Sequence, residues 1–132
     1  MRAQSSFEYM GIVVVVLAVL IPLTTFIYQH SETANRSQQA QIAVNSIAAA
    51  ADALYSQGQD AKTTLSINLP AGFLPKESYS ANSTILISYT TPLGKQSAVA
   101  RPRANITGGF SPGFGFKIIT LKVISGQVNI SG

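Results

Sequence analysis

Cysteine and tryptophan are both missing from the 132 residues. Without cysteine no disulfide can form and no thiolate can hold a metal, although the compartment stays open. Charge is sparse as well: Asp, Glu, Lys and Arg make up only 11% of the chain, with a net +4. The basic residues are scattered, and the densest group is Lys95, Arg101 and Arg103. That is shorter than the basic runs that grip phosphate backbones, so it reads as a solvated loop and no nucleic-acid partner is expected. The single histidine, His30, has no second His or Cys with which to build a zinc site. It lies where an apolar run ends and reads as an interfacial residue. The five acids, Glu8, Glu32, Asp52, Asp60 and Glu77, include no near pair of the glycosidase or calcium-loop kind. The glycine-rich stretch Gly108–Gly115 lacks the Lys-Ser/Thr of a phosphate loop and reads as a surface loop. The serines lack an activating base other than His30. No enzyme and no cofactor are expected.

What the chain does have is one long apolar run. It is uncharged from Tyr9 to Gln29, about 21 residues, which at about 1.5 Å per residue suffices to cross a bilayer as a helix. Its centre, Val13–Val16, is β-branched, yet in lipid or a dry bundle the backbone satisfies itself as helix regardless. The run is apolar all round, so every face needs cover, from lipid or from neighbouring helices. Each buried Val, Leu or Ile contributes about 1.5–3 kcal/mol, so the helix should not persist alone in water. Pro22 should kink or loosen it, with Thr24 and Thr25 helping to satisfy freed carbonyls. Glu8 admits two readings that can coexist. Ser5-Ser6-Phe7-Glu8 fits a capping box, with the carboxylate at the positive end of the helix dipole. Alternatively, Glu8 pairs with a polar group of a neighbouring subunit, because an unpaired charge in an apolar bundle would penalise wrong registers.

Residues 30–57 become amphipathic, with Ala40, Val44, Ile47, Ala48, Ala51, Leu54 and Tyr55 at helical spacing. This helix continues the first, with a break expected near Ser31–Asn35, and Gly58 stops it. After a polar connection to Lys62 the period changes to two: Leu65, Ile67 and Leu69, then Ile85, Ile87 and Tyr89. Pro92-Leu-Gly94 marks a turn, Ser97–Ala100 a weak strand and Asn105–Thr107 a short one. Phe114–Ile124 is apolar on both faces, as a central buried strand would be. Ser125-Gly126 reads as a tight hairpin before Gln127–Ser131. The expected fold is α+β: a long N-terminal helix followed by a small antiparallel sheet or sandwich of about five to seven strands.

The N-terminal residues Arg2-Ala3-Gln4-Ser5-Ser6-Phe7-Glu8-Tyr9-Met10-Gly11-Ile12 resemble the class III signal peptide of archaeal type IV pilin-like proteins. Gln4, Ser6, Glu8 and Tyr9 fall on that motif's positions. Ile12 stands where Leu is commoner, and the leader is unusually short. The resemblance implies a leader of residues 1–3, cut by a membrane prepilin peptidase between Ala3 and Gln4. A helix of residues 4–57 follows (4–29 hydrophobic, 30–57 amphipathic), then a β-rich extracellular domain of residues 58–132. Glu8 would be the fifth residue of the processed chain, with Glu8 and Tyr9 setting assembly and register. Its partner could be the new amino terminus at Gln4, unless that glutamine cyclises to a neutral pyroglutamate. The further partners implied are the membrane before assembly, an assembly ATPase, a membrane platform protein and identical subunits in a helical homopolymer. Arg2 ahead of the run agrees with an N-terminus inside the cell and an exported remainder.

Four N-glycosylation sequons follow the apolar run, at Asn35, Asn82, Asn105 and Asn129. If Val128 and Ile130 face the core, Asn129 faces out. The leading expectation is thus a structural subunit of an archaeal adhesion-type pilus at the cell surface, with helices inside and glycosylated β-domains outside. The alternatives are a membrane-anchored surface protein that never polymerises, with a β-domain that binds a partner, and a minor pilin.

Overall fold

The computed structural model describes residues 2–132, the side chain of Arg2 excepted; Met1 of the expected leader lies outside the described residues. Among the described residues one α-helix, α1 (Arg2–Gln57), is followed by seven strands, β1 (Lys62–Leu69), β2 (Tyr79–Ala81), β3 (Thr84–Thr91), β4 (Gly94–Ala100), β5 (Ile106–Gly109), β6 (Gly115–Ile124) and β7 (Gln127–Ser131), with a short 3-10 turn at Pro75–Glu77 before β2. The α+β class and the order helix-then-sheet are as the sequence predicts.

The helix is continuous, with no break at Ser31–Asn35. The polar residues there sustain it instead. Glu32 and Arg36 form an i,i+4 ion pair at 2.5 Å, and the Thr33 hydroxyl donates to the Gln29 carbonyl at 2.8 Å. Pro22 also lies within continuous helix. Thr24 and Thr25 both donate to the Ile21 carbonyl, at 2.8 and 3.0 Å. They therefore crowd a carbonyl beside the proline rather than that of Ala18, which lost its donor. At the other end Gly58, with φ +97, stops the helix as expected.

The two halves of α1 meet different surroundings. Residues 3–28 are exposed throughout. Further along, Ala40, Ala43, Val44, Ile47, Ala51 and Leu54 are buried against the sheet. This is the stripe read from the sequence, except that Ala43 joins it, Ala48 is only half-buried and Tyr55 turns outward. Small residues at Ala40, Ala43 and Ala51 let the sheet approach closely. The strands form one sheet in the order β1-β6-β7-β5-β2-β3-β4, curled so that strands at both edges, β1 and β4, touch the helix. One core results: Ile67, Ile85, Ile87, Tyr89, Ile106, Leu121, Val123 and Val128 close over the helix stripe.

The sheet departs from the antiparallel expectation at one pair. β5 runs parallel to β7, pairing Ile106 with Val128 and Gly108 with Ile130. Here the backbones come close: a Cβ on Gly108, whose φ is +134, would lie 2.3 Å from the Ile130 carbonyl oxygen. Only glycine fits. Ser125 and Gly126 (φ +51 and +75) make the expected hairpin between β6 and β7. A second hairpin, at Asn82-Ser83 (φ +49 and +60), joins β2 to β3. The largest difference concerns β6. It pairs on both sides, with β1 and β7, but its outer face is bare: Phe116 is 83% and Ile118 73% exposed.

Candidate functional site

The feature that sets this chain apart from a self-contained domain is the uncovered half of α1. Helical spacing places Glu8, Gly11, Ile12, Val15 and Val16 along one shallow groove, with Glu8 its one charged member. Phe7, Met10 and Val14 lie along an adjoining one. Tyr9 points to another side and is 74% exposed. No ion pair to Glu8 forms among the described residues. Because α1 already begins at Arg2, Ser5 lies inside the helix, and Glu8 stands beyond its first turn. Ala3 and Gln4, the expected processing pair, are exposed in the first turns of the helix.

Where the bare half meets the domain, a chain of polar contacts fixes the junction. Tyr28 lines the same small pocket as Glu32, and Glu32 pairs with Arg36. Arg36 Nη1 then donates to the Thr90 carbonyl at 2.7 Å. The Thr90 N–H in turn donates to Gly72 O at 2.9 Å. A Cβ on Gly72 would stand 2.6 Å from Thr90 O and 3.2 Å from Arg36 Nη1, so this loop can close on the guanidinium only with glycine there. The Arg36 guanidinium, and after it the Tyr28 hydroxyl, hold the Glu32 carboxyl below the usual glutamate range. A second fastening lies higher on α1. Asp52 Oδ1 accepts the backbone N–H groups of Arg103 and Ala104 at 2.8 and 3.0 Å. Neither fastening is visible in the sequence, since each joins residues more than 50 positions apart.

The four sequons fall into different environments. Asn35 is exposed on the helix beside Glu32 and Arg36. Asn82 is exposed at the tip of the β2–β3 hairpin, where its left-handed backbone already favours asparagine. Asn129 is exposed on the outer face of β7, with Val128 and Ile130 buried on either side, as the alternation predicts. Asn105 differs: it is half-buried, and its amide oxygen is buried without a hydrogen-bond partner.

Elsewhere the polar groups do structural work. Lys95 pairs with Glu77 at 2.7 Å rather than joining Arg101 and Arg103 in a patch. Lys117 donates to the Ser111 and Pro112 carbonyls at 2.6 Å each, which pins the glycine-rich loop. His30 packs edge-on against Phe26, with ring centroids 4.3 Å apart. Among the described residues, no three His, Cys, Asp or Glu side chains gather as a metal site would require. By length and composition α1 can cross a membrane near its N-terminus. Comparison with protein-family models, with curated proteins and with solved structures found no match.

Proposed function

We propose that this chain is a structural subunit of an archaeal type IV pilus-like filament of the adhesion type. The precursor is held in the membrane by residues 4–29, processed between Ala3 and Gln4, and assembled into a polymer of identical subunits. One observation carries the reading: within a single unbroken helix, residues 3–28 are exposed throughout while the next stretch is packed into a finished core. An apolar segment of that length needs cover on all sides. Lipid supplies it before assembly, and neighbouring helices supply it afterwards. The position of Glu8 supports the second destination. A carboxylate at the edge of the apolar segment is costly in a dry bundle until a polar group pairs it, and a neighbouring subunit can supply one. Asn35, Asn82 and Asn129 lie exposed on what becomes the outside, ready for glycans over a surface with few charges.

Electron microscopy of the cell surface, or of the purified assembly, tests this directly. Helical filaments with α1 at their core are expected, and mass spectrometry should find Gln4, or its cyclised form, as the first residue. Dispersed membrane monomers that begin at Met1 would overturn the reading and favour a plain membrane anchor.

A further inference from the structure

Outside the helix, the most exposed apolar side chains lie on β6. Phe116 and Ile118 share the outer face of the sheet, opposite Asn68 and Ser66 of the edge strand β1. Their exposure is built in rather than left to a loose segment. β6 is paired on both sides, and Lys117 between them is tied to the Ser111 and Pro112 carbonyls. Phe116 also forms one wall of a groove of about 270 Å³ that crosses the β1 edge to the helix. The rest of its lining comes from Gln39, Ile42, Ala43 and Ser46 of α1 and from Ser66, Ile67 and Asn68 of β1. Ile42 is itself 57% exposed.

We propose that this groove receives the apolar half-helix of a second copy of the chain. The inference rests on the filament reading and adds a specific seat to it. Three features select the occupant. The groove follows α1 from Gln39 to Ser46, seven steps of rise or about 10 Å, so its occupant lies alongside that helix. No lining residue is charged. A charged partner would lose water without gaining a counter-ion, whereas Tyr9–Gln29 brings no charge at all. Last, the lengths require such a seat. The exposed part of α1, residues 3–28, is about 39 Å long, and the remainder, which carries the domain, is of similar length. In a stack of staggered copies, the apolar half of one therefore runs past the domain of another. An uncharged groove just above the apolar segment, edged by Phe116 and Ile42, gives it apolar cover there. Small polar side chains at Ser46 and Ser66 permit close approach of the two helices.

The absence of cysteine makes disulfide trapping in assembled filaments clean. Phe116→Cys is combined with single cysteines scanned from Val13 to Ile27, and oxidation joins only sites whose Cα atoms approach within about 7 Å. The expected result is intermolecular dimers for a cluster of helix positions one turn apart, and none for Phe116→Cys alone. Dimers of Phe116→Cys alone would show domain meeting domain and overturn the proposal. So would filaments in which no helix position is trapped while helix cysteines cross-link to one another, an outcome that leaves the filament reading standing. If no helix–helix cross-link forms either, both fail together. As a second measurement, Phe116→Asp should lose filaments while the detergent-solubilised monomer keeps its thermal midpoint, because the side chain is 83% exposed. Unchanged filament yield would count against the groove.

Discussion

Asp52→Ala is expected to loosen the domain from its helix. The carboxylate sits on α1, half-buried, and one oxygen takes both the Arg103 and the Ala104 N–H. Ala104 is fully buried, so its N–H has no water to fall back on once the acceptor is gone. A hydrogen bond to a charged acceptor contributes about 1.5–3 kcal/mol, and a buried donor left unpaired costs about 1–3 kcal/mol. Water reaching the more exposed Arg103 N–H recovers part of this, which leaves a net loss of about 2–4 kcal/mol. In a domain of this size each kcal/mol moves the midpoint by about 4–8 °C, so a fall of about 8–32 °C is expected. The assay is thermal unfolding of the full chain in detergent, followed by near-ultraviolet circular dichroism of its tyrosines. Asp52→Asn retains an acceptor oxygen without the charge and should fall between wild type and alanine. A midpoint for Asp52→Ala within about 2 °C of wild type would refute the reasoning, since it would mean that the two N–H groups find other partners at no loss.

Three other outcomes are expected. Gly108→Ala should destabilise far more than Gly126→Ala, because only at Gly108 would the new Cβ collide with backbone, that of Ile130. Denaturant midpoints of the two variants compare them, and equal losses would contradict the close approach. Glu32 contributes to stability because its carboxyl is held below the ordinary glutamate range. That contribution is complete above the ordinary value and disappears as pH falls through the depressed one. The difference in thermal midpoint between wild type and Glu32→Gln should therefore vanish on acidification, and a difference that persists into acid would assign the effect to packing. Glu8→Ala should reduce filament yield while leaving membrane insertion intact, measured by microscopy and by membrane fractionation; normal filaments would show that Glu8 has no role between subunits.

Much of this architecture can be read from periodicity alone. The alternation in Leu65-Ser66-Ile67-Asn68-Leu69 and Ile85-Leu86-Ile87-Ser88-Tyr89 gives β1 and β3 with the correct inward faces, because side-chain direction in a strand depends only on parity. The helix stripe from Ala40 to Leu54 is legible for the same reason at a different period. Long-range terms are not. β2 is only three residues long, and its hairpin turn uses Asn82-Ser83 without the glycine that usually marks one. The parallel pairing of β5 with β7 depends on where the chain returns after Ala100, which no local pattern encodes. β6 is the most instructive miss. Apolar residues on both faces indicate that both faces become covered, but not by what, and within one copy the outer face stays open at Phe116 and Ile118. At the candidate site, Glu8 and the uncharged run are visible in the sequence. The Arg36 and Asp52 fastenings exist only once the sheet has closed.

Those two fastenings sit 16 residues apart on one continuous helix, about 24 Å, and both grip the same β-domain. A pull applied to the domain along the helix axis therefore loads them side by side, in shear, together with the whole strip of buried side chains from Ala40 to Leu54. A pull across the axis would open them one after the other, as a zipper opens. The design resists tension along its length better than it resists prying. For the filament subunit proposed above, whose helix would be anchored among other copies, tension would be the load to be borne, and the unbroken helix through Ser31–Asn35 leaves no hinge at which it could be relieved.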